Sequence, residues 1–381
     1  MGCFKFLSLN IKRRSKRLLG NGKHRSLSVT TSAAGGAKEP KDLILPQLPS
    51  DNQDHLQSCN KKINSVRRFS WIEIEKFTMN FSHVIGEGGY STVYLGYFPD
   101  FSLGAIKIHY QSERLRQVFK LELEALLHVQ HNNIVKLLGY CDEREEGVLL
   151  LEFIPNGNLH EKLYTQDRKN SVLPWNNRIM IAYQLAQAID YLHGNCKLPI
   201  VHGDIKASNV LLDQNLNCKL CDFGYAKMGF SSVVVPSLRN SIMGSPGYID
   251  PHYLRTGIVS KKNDVYSFGV ILLELITGIE AFCTKKEKLL TSIANPILQD
   301  PEKALEMVDS RLEGQFKDRE VIAMASIAAQ CLRQHASLRP SMADILNTMR
   351  ETIPSVSFVE TAGKFKDIST TRNLKWNIVN I

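Results

Sequence analysis

The stretch DVYSFGVILLELITG, residues 264–278, constrains the fold more than any other part of the chain. It is apolar almost all round at helical length, and a helix without a polar face cannot lie on a surface, so it predicts the buried centre of a helical lobe. Asp264 is the expected N-cap and Gly278 the expected stop. Its most apolar part, VILLELI at 270–276, is short and carries Glu274. A bilayer span needs roughly 18 apolar residues, so the chain is not expected to cross a membrane.

A second helix is expected over 175–195, WNNRIMIAYQLAQAIDYLHGN, with Ile181, Leu185, Ala188, Ile189 and Leu192 on one face and Gly194 as its stop. Strand-like patterning dominates further upstream. With 381 residues, the chain has room for two or three ordinary domains or for one large two-lobed domain with tails.

Gly86, Gly88 and Gly89 lie between HVI and STVYLG, two strand-like runs. The loop therefore turns one strand onto the next and does not feed a helix, which excludes a dinucleotide-binding turn. Glycines in such a loop let backbone N–H groups approach phosphate oxygens, although a plain glycine hairpin has the same pattern. GAIKIH at 104–109 adds Lys107 between Ile106 and Ile108. That lysine is either an edge-strand charge or a group reaching into a cleft below the loop.

A buried lysine needs an acid. Over the helical stretch 113–128, Leu115, Phe119 and Leu126 share one face and Glu122 sits on the same stripe. Glu124 lies about 160° away at 100° per residue, so Glu122 is the expected partner of Lys107. Either charge buried alone would be costly, and the pair stands or falls together.

The segment VHGDIKASNV, 201–210, then offers Asp204, Lys206 and Asn209, and DFG follows at 222–224. With GSPGYIDP at 244–251 and RP at 339–340, these matches run in order over about residues 84–350, and the chain resembles the eukaryotic protein kinases. HNNIVKLLGYCDE, LLLEFIPNGNL and KNDVYSFGVILLELITG are similar to plant receptor-like kinases. Without an evident ectodomain or span, the chain is similar to the receptor-like cytoplasmic serine/threonine kinases of the non-RD type.

The resemblance implies an α+β, bilobal protein kinase fold, with a small β-rich N-lobe carrying one helix and a larger helical C-lobe. The expected divisions are a basic tail and linker at 1–66, a lead-in at 67–83, the N-lobe at 84–151, the hinge at 152–157, the C-lobe at 158–350 and a C-terminal tail at 351–381. It implies ATP with Mg²⁺, or Mn²⁺ in its place, as the cofactors. Asp204 and Lys206 are the expected catalytic residues, and Asn209 and Asp222 the metal ligands. ATP contacts are expected from Ile85, Gly86, Glu87, Gly88, Gly89, Tyr90, Ser91, Thr92 and Val93, together with Lys107 and Glu122. Adenine is expected against the backbone of Glu152 to Gly157, with Leu151 behind it. Lys206 and Ser245 imply serine/threonine phosphorylation, and protein substrates and an upstream membrane receptor or co-receptor are the implied partners. The alternative is a pseudokinase scaffold, against which the retained Lys107, Glu122, Asp204, Asn209 and Asp222 argue.

Three positions depart from the family pattern. Ser91 replaces the third loop glycine and is small enough to clear the phosphates. Gly203 replaces an arginine that contacts a phosphorylated activation segment, so activity is expected to depend little on Ser231, Ser232, Ser237 and Ser241. His252 replaces a glutamate whose partner maps to Arg339, which predicts a softened substrate-binding segment.

Net charge is +9, yet residues 1–30 hold eight Lys and Arg with no acid, so the rest of the chain is nearly neutral. The opening MGCFKFLSLNIKRRSKR joins apolar bulk and a lipidation candidate, Cys3, to a basic cluster, as an anchor on an anionic membrane surface does. Phe6 departs from the N-myristoylation pattern, which makes S-palmitoylation at Cys3 the expectation. Nucleic-acid binding has only composition behind it. GNGK at 20–23 lacks the flanking residues of a phosphate loop, and 31–65 reads as a linker. Eight scattered cysteines and no cleavable signal lead to the expectation of the reducing cytosol, and the head to that of the inner face of the plasma membrane. Cys218 and Cys221 form a lone C-x-x-C and are expected to be structural.

Overall fold

The computed structural model describes residues 66–357 apart from 101, 165–171, 230–234, 237–243 and 285–286. Cys3, the basic head, Ser231, Ser232, Ser237, Ser241 and the C-terminal segment LKWNIVNI lie outside the described residues.

The smaller lobe is a sheet of β1 (Arg67–Arg68), β2 (Val84–Glu87), β3 (Ser91–Tyr97), β4 (Leu103–His109), β5 (Leu137–Cys141) and β6 (Val148–Glu152) in the order β1-β5-β6-β4-β3-β2. Pairing is antiparallel except between β1 and β5. Side chains alternate between the two faces. Ile106, Val148 and Leu150 pack with Cys141 beneath Trp71, Ile74 and Phe77 of helix α1 (Trp71–Phe77). Leu149 and Leu151 face the opposite core, where they join Phe119 and Leu126 of α2 (Glu113–His128). Within the expected lead-in, 67–83, β1 thus joins the edge of this sheet and α1 packs on one of its faces. Alternation leaves Lys107, between Ile106 and Ile108 and paired in register with Val93 and Leu149, on the α2 side.

The larger lobe contains α3 (Leu159–Tyr164), α4 (Trp175–Asp190), α5 (Pro251–Thr256), α6 (Lys261–Thr277), α7 (Asp318–Cys331) and α8 (Met342–Thr352). Helix α6 is the centre its sequence predicts, buried from Asp264 to Thr277 apart from Ser267. Its start differs from expectation. Ser260 is the N-cap in a capping box with Asn263, and Asp264 stands one turn inside with its carboxylate committed elsewhere. Helix α4 also ends before Gly194, widening after Asp190 into a π turn over Tyr191–Asn195.

Two small two-stranded sheets bring the chemistry-bearing segments side by side. β7 (Ile200–Val201) pairs with β10 (Lys227–Met228), and β8 (Val210–Leu212) with β9 (Cys218–Leu220). Residues 202–209 therefore run between β7 and β8, and Asp222 to Gly224 follow β9 directly. Cys218 of the C-x-x-C is fully buried in β9.

Candidate active site

Lys107 lies at the meeting of three elements. Its Nζ donates to both Glu122 carboxylate oxygens at 2.8 Å and to Asp222 Oδ1 at 2.9 Å. Helical spacing turns Glu122 inward from α2, at 1% exposure, and leaves Glu124 exposed. Burial disfavours the Lys107 ammonium, but the Asp222 and Glu122 carboxylates outweigh it and hold the group above its ordinary value. Burial likewise opposes ionisation of Asp222, and Lys107 followed by Lys206 holds it well below the usual carboxylate range.

Asp222 has φ +68, left-handed backbone that costs an ordinary residue about 1–3 kcal/mol. Packing on both sides sustains it. The Phe223 N–H donates to Glu122 Oε1 at 3.3 Å, and the fully buried Phe223 ring stands edge-on to His202 with centroids 4.7 Å apart.

The 202–209 loop is tied down from below. Asp264 accepts the N–H groups of His202 at 2.8 Å and Gly203 at 2.9 Å, and its Oδ2 lies 2.9 Å from His193 Nε2. The displaced helix cap is thus the floor of this loop. Above it, Ser245 Oγ donates to Asp204 Oδ1 at 2.9 Å, Lys206 Nζ lies 2.7 Å from Asp204 Oδ2, and Lys206 Nζ donates to Ser245 Oγ at 2.9 Å. Asn209 donates from its amide nitrogen to the Asp204 carbonyl at 2.9 Å and to Asp204 Oδ2 at 3.2 Å, which turns its amide oxygen outward as a hard ligand. The Cys221 N–H on the Asn209 carbonyl, at 3.0 Å, joins Asn209 to the residue before Asp222. Two oxygen ligands and two lysines between the loops suit a divalent cation bridging phosphates.

The glycine-bearing turn joins β2 to β3 as a hairpin, with the Gly88 N–H on the Ser91 carbonyl at 2.8 Å. Ile85 is exposed, while Ser91 and Thr92 are buried at the start of β3. Tyr90, near the tip of the turn, meets Tyr225 with ring centroids 6.4 Å apart. The hinge segment ends at Gly157, whose φ of +67 and carbonyl bond from the Leu212 N–H fasten it to the larger lobe.

The expectation for Arg339 requires correction. Its acid is Asp250, bound through Nη1 to Oδ2 at 2.6 Å and Nη2 to Oδ1 at 2.8 Å, with both side chains 1% exposed. The ion pair is moved two residues along the chain from His252, not lost. The premise for a softened segment falls with it, because Asp250 also caps α5 through the His252 N–H and accepts from Asn263. Sequence reasoning also misses His109, which contacts Glu122. The signal was there, since His109 is two residues from Lys107 and alternation turns both to one face.

A sheet-based lobe, a helical lobe, and two lysines, three acids and an asparagine gathered between them define a phosphotransferase cleft. The protein kinase domain model matches residues 79–349, and the chain belongs to the protein kinase family. It is 51% identical over 301 residues to salt tolerance receptor-like cytoplasmic kinase 1 of Oryza sativa subsp. japonica, covering 77% of this chain and 83% of that protein. A receptor-like protein kinase of Arabidopsis thaliana is 51% identical over 307 residues, 76% of this chain and 89% of its own length. An LRR receptor-like serine/threonine-protein kinase of Arabidopsis thaliana is 37% identical over 289 residues, which are 76% of this chain and 33% of the relative. The chain is therefore similar to plant receptor-like cytoplasmic kinases, and use of ATP with a divalent metal follows from the family.

Proposed function

We propose that this protein kinase phosphorylates serine and threonine in protein substrates, with Asp204 as the group that orients the substrate hydroxyl and accepts its proton. The observation that carries the reading is the triangle of Asp204, Lys206 and Ser245, whose three contacts are 2.7–2.9 Å. A carboxylate held between an ammonium and a hydroxyl is oriented without being blocked, and the lysine is positioned to meet charge on the transferred group.

Asn209 and Asp222 are the residues that would hold Mg²⁺, or Mn²⁺ in its place, which when bound would supply charge neutralisation to the phosphates. Lys107, oriented by Glu122, steadies the α and β phosphates, and the hairpin from Ile85 to Val93 covers them. Asp222 and Glu122 share Lys107, which holds its ammonium at the mouth of both loops. Similarity to a receptor-like kinase named for serine/threonine phosphorylation supports the substrate class. Cys3 acylation and the basic head tether the chain to the inner face of the plasma membrane, beside an upstream receptor or co-receptor.

The test is transfer of the γ-phosphate to Ser, Thr and Tyr peptides by wild type and Asp204→Asn. Loss of a general base costs roughly 10²–10⁴ in rate. Wild-type transfer to Ser and Thr, absent in the variant, is expected. Nucleotide binding without transfer in wild type would establish the scaffold reading instead.

A further inference from the structure

His109 has no role in the reading above, yet it stands within the group that holds Glu122. Strand alternation brings it to the same face of β4 as Lys107. The imidazole is 1% exposed, with Nε2 3.2 Å from Glu122 Oε2 and Nδ1 3.2 Å from the Gly147 carbonyl oxygen. Phe119 of α2 meets the ring edge-on, with centroids 5.6 Å apart. A Cβ at Gly147 would fall 2.1 Å from the Phe119 ring, so only glycine there lets Phe119 and His109 close together on α2.

Burial opposes ionisation of Glu122, but Lys107 and then His109 hold it below its ordinary value, so its oxygens are acceptors and Nε2 must be the donor. Lys107 is less exclusive, because it serves Asp222 at 2.9 Å as well as Glu122. In the kinase reading the same ammonium would also serve the nucleotide phosphates. Among the described residues, Glu122 is the charged group that His109 contacts.

We propose that His109 is a positioning residue whose Nε2–H fixes Glu122 Oε2 toward the sheet and keeps α2 docked while Lys107 turns to the phosphates. It acts through Glu122 and does not touch nucleotide, and the proposal rests on the kinase-site reading above. Without this hold, the fraction of molecules with Glu122 inward falls, and apparent nucleotide affinity falls with it. Saturating ATP draws that population back, so the defect belongs in KM and not in kcat.

The experiment compares the full chain with His109→Leu and His109→Gln, reading KM for ATP, kcat at saturating ATP and melting temperature. In His109→Leu, KM is expected to rise about tenfold, the weight of a hydrogen bond to a charged group, with kcat within about threefold. His109→Gln puts an amide nitrogen near the place of Nε2 and is expected to return KM to within about threefold of wild type. A purely structural role would lower kcat in step with melting temperature at constant KM, and that pattern overturns the proposal, as does a wild-type KM in His109→Leu. Should His109→Leu not fold, ¹⁵N spectra of wild type decide. A protonated Nε2 whose signal moves in Glu122→Gln upholds the contact, and an unprotonated Nε2 overturns it. Asp204→Asn run in parallel separates the two levels: retained transfer there fails the site reading, whereas a dead Asp204→Asn beside a normal His109→Leu fails the His109 inference alone.

Discussion

Arg339 shows how much one buried charge depends on its partner. Its guanidinium is bound at both ends by Asp250 in a pair closed to water, and also donates to the carbonyls of Arg333 and Lys262. Removing one member of such a pair leaves the other buried and unpaired, at a cost of about 3–5 kcal/mol. Asp250→Ala is therefore expected to lower unfolding free energy by about that amount in urea titration, and His252→Glu to change it by less than about 0.5 kcal/mol. Gly203 teaches a related lesson. Its φ is +78, and a Cβ would come within 3.0 Å of the Tyr225 carbonyl oxygen, so any side chain here strains the loop by about 1–2 kcal/mol. The glycine was legible as a missing arginine, but its fit to the backbone was not, because φ is set by the Asp264 contacts below.

Among the elements, α6 organises the site from both ends. Asp264 holds the 202–209 loop at its first turn, and Glu274, near its last, gathers the substrate-side segment. Tyr248 Oη donates to Glu274 at 2.8 and 2.7 Å, Tyr164 Oη donates at 2.8 Å, and Tyr248 Oη accepts the Ala207 N–H at 3.3 Å. Burial pushes Glu274 up to about 7 from an ordinary 4.5, against the downward pull of the two tyrosine hydroxyls. The folded protein keeps this proton after the unfolded chain has lost it. Stability from this group is thus fullest below pH 4.5, falls as pH rises toward 7, and is level beyond. At 1.36 kcal/mol per unit the fall is about 3 kcal/mol. Glu274→Gln cannot titrate, and urea midpoints measured from pH 5 to 8 are expected to show a flatter decline than wild type. The apolar run predicted the helix and its burial. It said nothing of Asp264 and Glu274 as anchors, because a polar residue on an apolar helix declares only that it needs a partner.

For the whole molecule, the charge lies at one end and the chemistry in the body. A basic residue near anionic lipid contributes about 1 kcal/mol, and a single acyl chain alone is marginal, so the proposed tether needs both. Cys3→Ser is expected to lose most of its partition onto anionic vesicles or plant membranes, with the remainder removed by about 1 M salt, where the screening length is about 3 Å. Unchanged partition would remove the acyl half of the proposal. Among the described residues, no helix is long and apolar enough to cross a membrane.

Periodicity alone determined much of this protein. Alternation set Lys107 apart from Ile106, the helical step turned Glu122 inward and Glu124 outward, and the apolar run at 264–278 demanded the centre of a lobe. These are local geometries, repeated every two or 3.6 residues, and they need no knowledge of distant chain. Tertiary structure decided which buried charge meets which: Arg339 with Asp250 across 89 residues, Asp264 with the loop 61 and 62 residues before it, and His109 with Glu122. A buried charge must find a partner, but which one is set by where packing brings the elements together.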